Sequence, residues 1–473
     1  MLLPGSSSVE SGGAGGGTGG TSGSTGGSSI GGMAGSTGGT AGTGATGGTG
    51  GSAGVGGSAG SAACAPLGLS AGPIAFSANA YAHRAPPQLS LTGGATSTVA
   101  VAVAEMPVES PIGAAAILRL GGFEAWNDVW PDSLGSGTTA PFVVGVDQFF
   151  FDRGAEDDTV AIAYPASPQP PAAYPTGVLY QPLLNVFQGP AAEAFSLINA
   201  AAGQQLTRFV KTGASGSLVG VQQTFLSDSG PDQHELIFCA QPFEPNGGFC
   251  IPMAGCGTEP VDADAVALEQ GFVVAYSSSR GFGECMNDDG IIGPPNRILV
   301  AFVGGPGGGY GPLPIEIEQP DDIVRFVRVI PHSAGAWLVY QYAGLNAEQP
   351  PPVMAVRIDE AGGVLLDPIP LLDGSQFFDE PALAGIGDQL LIAWVDAFDP
   401  SGDAYIMMRV FDDAGTELTQ NAYQSHAVHP RLSALGSPDG SQVLIGWSEQ
   451  TGMDGAGEDQ AYVARFTCGW GQI

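Results

Sequence analysis

Three acidic stretches carry the residue types most able to do chemistry. They are "VDAFDPSGD" with Asp396, Asp399 and Asp403, "EQTGMDGAGEDQ" with Asp454, Glu458 and Asp459, and "ECMNDDG" with Asp288 and Asp289. Each sets carboxylates on a glycine-containing segment that can bend around an ion. Calcium takes six to eight oxygen ligands, and such loops can supply them. None has the D-x-D-x-D-G spacing of a regular calcium loop, so calcium at Asp396, Asp399, Asp403, Asp454, Glu458 and Asp459 is an expectation from oxygen content alone. As plain solvated turns in an acidic chain, the same residues need no metal. No other cofactor is expected.

The remaining reactive types point elsewhere. His234 opens "HELIF", but a zinc-binding helix would need a second histidine where Phe238 stands. His426 and His429 fall in one connection and read as loop polar groups, and His83 matches His426 in a related segment. Ser437 and Asp439 in "SPDGSQVLIGW" resemble the Ser-x-Asp-x-Gly-x-x-Trp box of sialidases. Ser441 stands where that box has glycine and Leu444 where it has tryptophan, so a plain turn fits better. Any two of 46 acidic residues can meet as an acid/base pair, and nothing in the spacing selects two. The catalytic residues, if any exist, are unknown at this level. Trp126 and Trp130 in "FEAWNDVWPD" have acidic neighbours and are candidates for a ligand-stacking platform, against the alternative of core packing.

The elements that must position these loops are legible as copies of one pattern. Short apolar runs end at Glu105, Tyr164, Gln222, Tyr276, Tyr342, Trp394 and Trp447, in steps of 52 to 66 residues. After each comes a polar or Gly/Pro-rich loop and a second apolar run, from "AAAILRL" and "GVLYQPL" to "YIMMRVF" and "YVARF". Runs this short, rich in Val, Ile, Tyr and Trp and bounded by turn residues, read as strands. "RIDEAGG" and "RVFDDAG" end theirs in a tight turn, because Asp bonds its own backbone and Gly accepts positive φ. A first strand ("PALAG", "PRLSAL") and a fourth after the turn complete a unit of four, here called A to D in chain order. Such units repeated at this step give an all-β fold, a β-propeller of about seven four-stranded blades. Two irregular β-sandwiches are the alternative. The aromatics ending the B strands are expected in the core between blades.

The final unit, "AYVARFTCGWGQI", lacks a D strand. "FSANAYAHRAPPQLSLTG" (76–93) resembles "LTQNAYQSHAVHPRLSALG" (418–436), so the N-terminal part should supply that strand and close the ring, removing the free edge. "AAEAFSLINAAAGQQL" (191–206) is the one segment whose spacing is compatible with a short amphipathic helix.

Six cysteines allow fifteen pairings. Ring closure brings the two ends together and predicts Cys64 paired with Cys468. Cys239, Cys250, Cys256 and Cys285 should form two local bridges, with the pairing open.

The bulk numbers limit partners and compartment. Formal net charge is −33, with 13 basic and 46 acidic residues in 473, so nucleic acid and anionic lipid are poor partners. No run of about twenty apolar residues occurs, so no membrane span is expected. "MLLPGSSSVESGG" shows no signal peptide. Residues 1–63 are almost wholly Gly, Ser, Thr and Ala and should be a disordered tether, with 64–473 the folded domain. Such a tract resembles the linker of bacterial lipoproteins and other exported surface proteins, although no lipobox cysteine precedes it. That resemblance implies export to the extracellular space or cell envelope, and an N-terminal membrane anchor if the true start lies upstream. The expected function is non-catalytic binding of a protein, glycan or cell-surface component through one face of the propeller. The alternative is a glycan-directed hydrolase or lyase with carboxylates in the central channel. Charged side chains converging on the inner mouth of the channel would favour the enzyme.

Overall fold

The computed structural model describes Cys64, residues 66–75, and most strands with their shorter connections between 88 and 469. Side chains are described within 64–73 and for most strand residues from Leu218 onward, with 241–254 among the exceptions. These residues lie in one compact unit, Ser58–Ile473.

Among the described residues, twenty-seven strands form seven antiparallel sheets. The first strand is β1 (Leu67–Ala75). Blade 1 is β2 (Gln88–Gly93), β3 (Thr98–Glu105) and β4 (Ala115–Gly122). Blade 2 is β5 (Phe150–Arg153), β6 (Val160–Ala166), β7 (Gly177–Leu183) and β8 (Phe195–Asn199). Blade 3 is β9 (Gln204–Gly213), β10 (Gly216–Phe225), β11 (Gln233–Ala240) and β12 (Phe249–Gly257). Blade 4 is β13 (Ala263–Ala267), β14 (Gly271–Ser278), β15 (Arg297–Gly304) and β16 (Tyr310–Glu318). Blade 5 is β17 (Val324–His332), β18 (Gly335–Tyr342), β19 (Val353–Ile358) and β20 (Val364–Leu372). Blade 6 is β21 (Ala382–Ile386), β22 (Gln389–Val395), β23 (Ala404–Phe411) and β24 (Glu417–Ser425). Blade 7 is β25 (Leu432–Gly436), β26 (Gln442–Glu449) and β27 (Gln460–Cys468), completed by β1.

The first strands of the blades touch in sequence: β2, β5, β9, β13, β17, β21, β25 and back to β2. Seven inner strands closing on themselves make a ring, so the fold is a seven-bladed β-propeller. Each apolar run singled out in the sequence is the second or third strand of a blade. The core lies between blades. Ala384, Leu391 and Met408 of blade 6 pack with Val443, Trp447 and Phe466 of blade 7. Blades 3 and 4 share Leu218, Phe238, Phe272 and Tyr276. The B-strand aromatics Tyr276, Tyr342, Trp394 and Trp447 are all buried, as their positions predict.

Two expectations need correction. Residues 191–206 hold β8 and the start of β9 rather than a helix, and no helix occurs among the described residues. The apolar spacing there was too short to separate the two periods, and the neighbouring strands supply the hydrogen-bond partners that decide it. The N-terminal part does supply the missing D strand, but that strand is β1, upstream of 76–93. Repeat similarity located β2 correctly and placed the D strand too late.

Closure is covalent as well. Leu67 stands opposite Cys468 in the β1–β27 pair, and Cys64 is disulfide-bonded to Cys468. The Cys64 N–H donates to Gln389 Oε1 of blade 6, 2.9 Å away. Asn421 Nδ2 donates to the Leu67 carbonyl at 2.5 Å, and Tyr423 packs on Trp447 at 5.4 Å. The Asn-Ala-Tyr motif thus knits blade 6 to the closing blade. Its counterpart at Asn79 to Tyr81 lies outside the described residues.

Candidate functional site

In an up-and-down blade the D–A connections and B–C loops share one face, and the A–B and C–D turns share the other. The two faces differ at the ring's inner edge. On the A–B face the inner strands meet backbone to backbone. A Cβ on Gly436 of β25 would fall 1.8 Å from the Gly385 carbonyl oxygen of β21. One on Gly385 would fall 3.0 Å from the Pro331 oxygen of β17. The close approach admits only glycine at Gly436. Nearby, Ser437, Asp439 and Ser441 form the A–B turn of blade 7. Asp439 Oδ1 accepts from Ser437 Oγ at 2.6 Å and from the Ser441 N–H at 3.0 Å. Partial burial pushes the Asp439 pKa up, but the bonds from Ser437 and Ser441 prevail and hold it below the usual carboxylate value. This is a self-contained turn, as expected, and not a sialidase box.

On the opposite face, charged side chains borne on or just before three consecutive inner strands converge. Asp262 immediately precedes β13, Arg328 lies within β17, and Glu380 lies just before β21. Arg328 Nη1 donates to Asp262 Oδ2 at 2.6 Å, and Arg328 Nε to Glu380 Oε1 at 2.5 Å. One guanidinium therefore ties blade 4 to blade 5 and blade 5 to blade 6. Asp262 Oδ2 also accepts the Val327 N–H at 2.7 Å, and Asp264 Oδ2 the Val329 N–H at 3.0 Å. The main chain of Asp262 is pinned in turn: its N–H donates to Ser277 Oγ, and its carbonyl accepts the Ser277 N–H, each at 2.8 Å.

The electrostatics follow from this packing. Burial acts to lower the Arg328 pKa, but Asp262, Glu380 and Asp264 overcome it and raise it, so the guanidinium stays charged. Desolvation pushes the Glu380 carboxyl up. Arg328 pulls it back, Asp262 and Asp264 add to the rise, and the net shift is upward. Yet the Glu380 side chain is 42% accessible to solvent, against 18% for Asp262. The Glu380 carboxyl therefore meets solvent while it is paired with Arg328. The cluster can offer carboxylate acceptors and a held positive charge to a molecule entering from this face.

Sequence reasoning missed this cluster. Asp262, Arg328 and Glu380 belong to three different repeats and form no motif. The one available signal was that Asp262 and Glu380 each stand just before an inner strand. Of the expected calcium ligands, Asp396 is described, at the end of β22, with its N–H donating to the Tyr405 carbonyl at 2.9 Å. Asp399, Asp403, Asp454, Glu458 and Asp459 lie outside the described residues, as do Asp288, Asp289, Trp126, Trp130, His83, His426 and His429. Among the described residues no group of three or more His, Cys, Asp or Glu side chains is placed to hold a metal. His234 is on a strand, its Nδ1 3.1 Å from both Gln222 Nε2 and Thr224 Oγ1.

No family model matches the chain, and no curated protein matches it. Solved structures align with it at low similarity. A Dyadobacter fermentans protein of unknown function is 10% identical, over 85% of this chain and 99% of that one, with a TM-score of 0.47. An α-L-arabinanase from Penicillium chrysogenum, complexed with arabinobiose, is 12% identical over 68% and 94%, at 0.42. The neuraminidase-like N11 protein of an influenza A virus from a flat-faced bat (H18N11) is 9% identical over 86% and 96%, at 0.40. Similarity at this level does not transfer an activity, and the blade count rests on the strand ring itself.

Proposed function

We propose that the protein is an exported binding module that takes a neutral, polyhydroxylated ligand, a glycan, at the D–A face of its propeller. The observation that carries this reading is the Asp262–Arg328–Glu380 cluster at the inner edge of three blades. Sugar hydroxyls donate to carboxylates and accept from a guanidinium. Three carboxylates around one arginine, in a chain of net charge −33, disfavour phosphates and acidic sugars. On the opposite face the inner-edge contact described is backbone packing, Gly436 against Gly385, and the charged cluster stands at the D–A face. Asp262 and Asp264 bond backbone N–H groups and act as struts between blades, which suits a rigid recognition surface better than a pair of reacting groups. The Cys64–Cys468 bridge supports an oxidising compartment, and the Gly/Ser/Thr-rich stretch fits a tether to a cell surface. Calcium at the B–C loops and a stacking role for Trp126 and Trp130 stand as parts of the same proposal. A rise of the unfolding midpoint in millimolar calcium over chelator would support the former.

A second reading is favoured by Glu380. Its carboxyl is pushed up beside Asp262, and two carboxyl groups whose environments differ are what a glycan-directed hydrolase needs. One experiment separates the two. The full chain is applied to immobilised neutral and acidic glycans, and captured glycans are assayed for newly released reducing ends. Capture of neutral glycans without release supports the binding module. Release that Glu380→Gln abolishes supports the hydrolase. Capture of acidic glycans alone contradicts both.

A further inference from the structure

We infer that the remaining four cysteines pair as Cys239–Cys250 and Cys256–Cys285, and that the second bridge braces the wall carrying Asp262. Cys239 and Cys256 are each disulfide-bonded, and no cysteine among the described residues is free. Cys64 and Cys468 hold each other, so Cys239 and Cys256 find their partners among the other four. Three pairings are possible.

Register decides among them. Cys239 of β11 stands directly opposite Cys250 of β12. Opposed residues of antiparallel strands put their side chains on one face, with Cα atoms about 4.5 to 5.5 Å apart, within reach of a disulfide. Cys256 stands opposite Glu235, four residues further along β11. At about 3.3 Å per residue that is roughly 13 Å from the Cys239–Cys250 level, beyond the about 7 Å that a bridge spans. Cys256 therefore reaches neither Cys239 nor Cys250. This removes Cys239–Cys256. It also removes Cys239–Cys285, which would leave Cys250 to Cys256. One pairing survives.

The position of Cys256 gives the second bridge its consequence. The Cys256 carbonyl accepts the Ser279 N–H at 2.7 Å, and its Sγ lies 3.6 Å from Ser278 Oγ. Ser278 follows Ser277, which holds both main-chain groups of Asp262. A bond from Cys256 to Cys285 fastens the last strand of blade 3 to the B–C connection of blade 4. Each bridge forms as two thiols lose two protons and two electrons to an oxidised protein disulfide of the exporting compartment, which is reduced to its dithiol.

The test uses the native full chain, with any free thiol alkylated before digestion. Chymotrypsin cuts after Phe243, Phe249, Phe272 and Phe282, and cyanogen bromide cuts after Met253 and Met286. Each of the four cysteines then sits on its own peptide. Mass spectrometry without reduction should find the Cys239 peptide joined to that of Cys250, and the Cys256 peptide to that of Cys285. Either of the other two pairings, or alkylation at any of the four, overturns the inference.

Discussion

Cys64 and Cys468 are separated by 404 residues, yet their Cα atoms stand 4.5 Å apart, joined by a disulfide at the end of blade 7. In blades 5 and 6 the third and fourth strands are joined by an Asp-led turn. Asp359 Oδ1 accepts the Ala361 and Gly363 N–H groups, and Asp412 Oδ1 those of Ala414 and Thr416. Blade 7 takes its fourth strand from the other end of the chain and has no such turn. The disulfide stands in its place, and the Gly469 N–H donates to the Pro66 carbonyl beside it.

Cys64→Ser with Cys468→Ser should therefore lower the unfolding midpoint while leaving the β content intact. The chain-entropy model gives a loss of up to about 6 kcal/mol for a loop of this length. Calorimetry with far-UV circular dichroism measures both. An unchanged midpoint would show that β1 needs no clasp.

Gly436→Ala should destabilise by about 1–3 kcal/mol or more, because its methyl group would enter the Gly385 carbonyl. Gly293→Ala meets nothing within 4 Å and should stay within about 0.5 kcal/mol of the parent. Paired denaturant melts decide this. Equal effects at both sites would remove the close approach of β21 and β25.

Stability should fall on mild acidification through His332. Its ring sits edge-on to Trp337, its Nδ1 accepts the Ala334 N–H, and desolvation holds its pKa below 6.5 despite Asp388 nearby. The unfolded chain then binds the proton more readily than the folded one. The contribution is complete above about pH 6.5 and is lost as pH falls from there toward the folded value. Melting between pH 7 and 5 should show the drop, and His332→Asn, which keeps an acceptor for Ala334, should flatten it. An equal slope in the variant would assign the drop to other groups.

Much of this fold was legible because a propeller repeats its information. Each B strand ends in the same place in its blade, so Tyr276, Trp394 and Trp447 announce one another. The two ends of the chain were legible through Cys64 and Cys468, once a missing strand was noticed. What failed was local. Residues 191–206 have apolar residues at spacings that serve a helix or two strands, and only neighbouring strands choose between them. The candidate site failed for the opposite reason. Asp262, Arg328 and Glu380 are brought together by the ring, not by spacing, and in "VRFVRV" nothing sets Arg328 apart from its neighbour Arg325.

The central claim is that ligands meet the D–A face at the Arg328 cluster. Glu380→Gln tests it with least disturbance, since the amide keeps the side chain's size and an oxygen for Arg328 Nε, and the struts from Asp262 and Asp264 remain. Calorimetric titration of parent and variant with a neutral glycan captured by the parent is the decisive measurement. The account predicts at least a tenfold weaker affinity for the variant at an unchanged unfolding midpoint, since a hydrogen bond to a charged group contributes about 1.5–3 kcal/mol. Equal affinity of parent and variant would contradict it and place the binding surface elsewhere on the molecule.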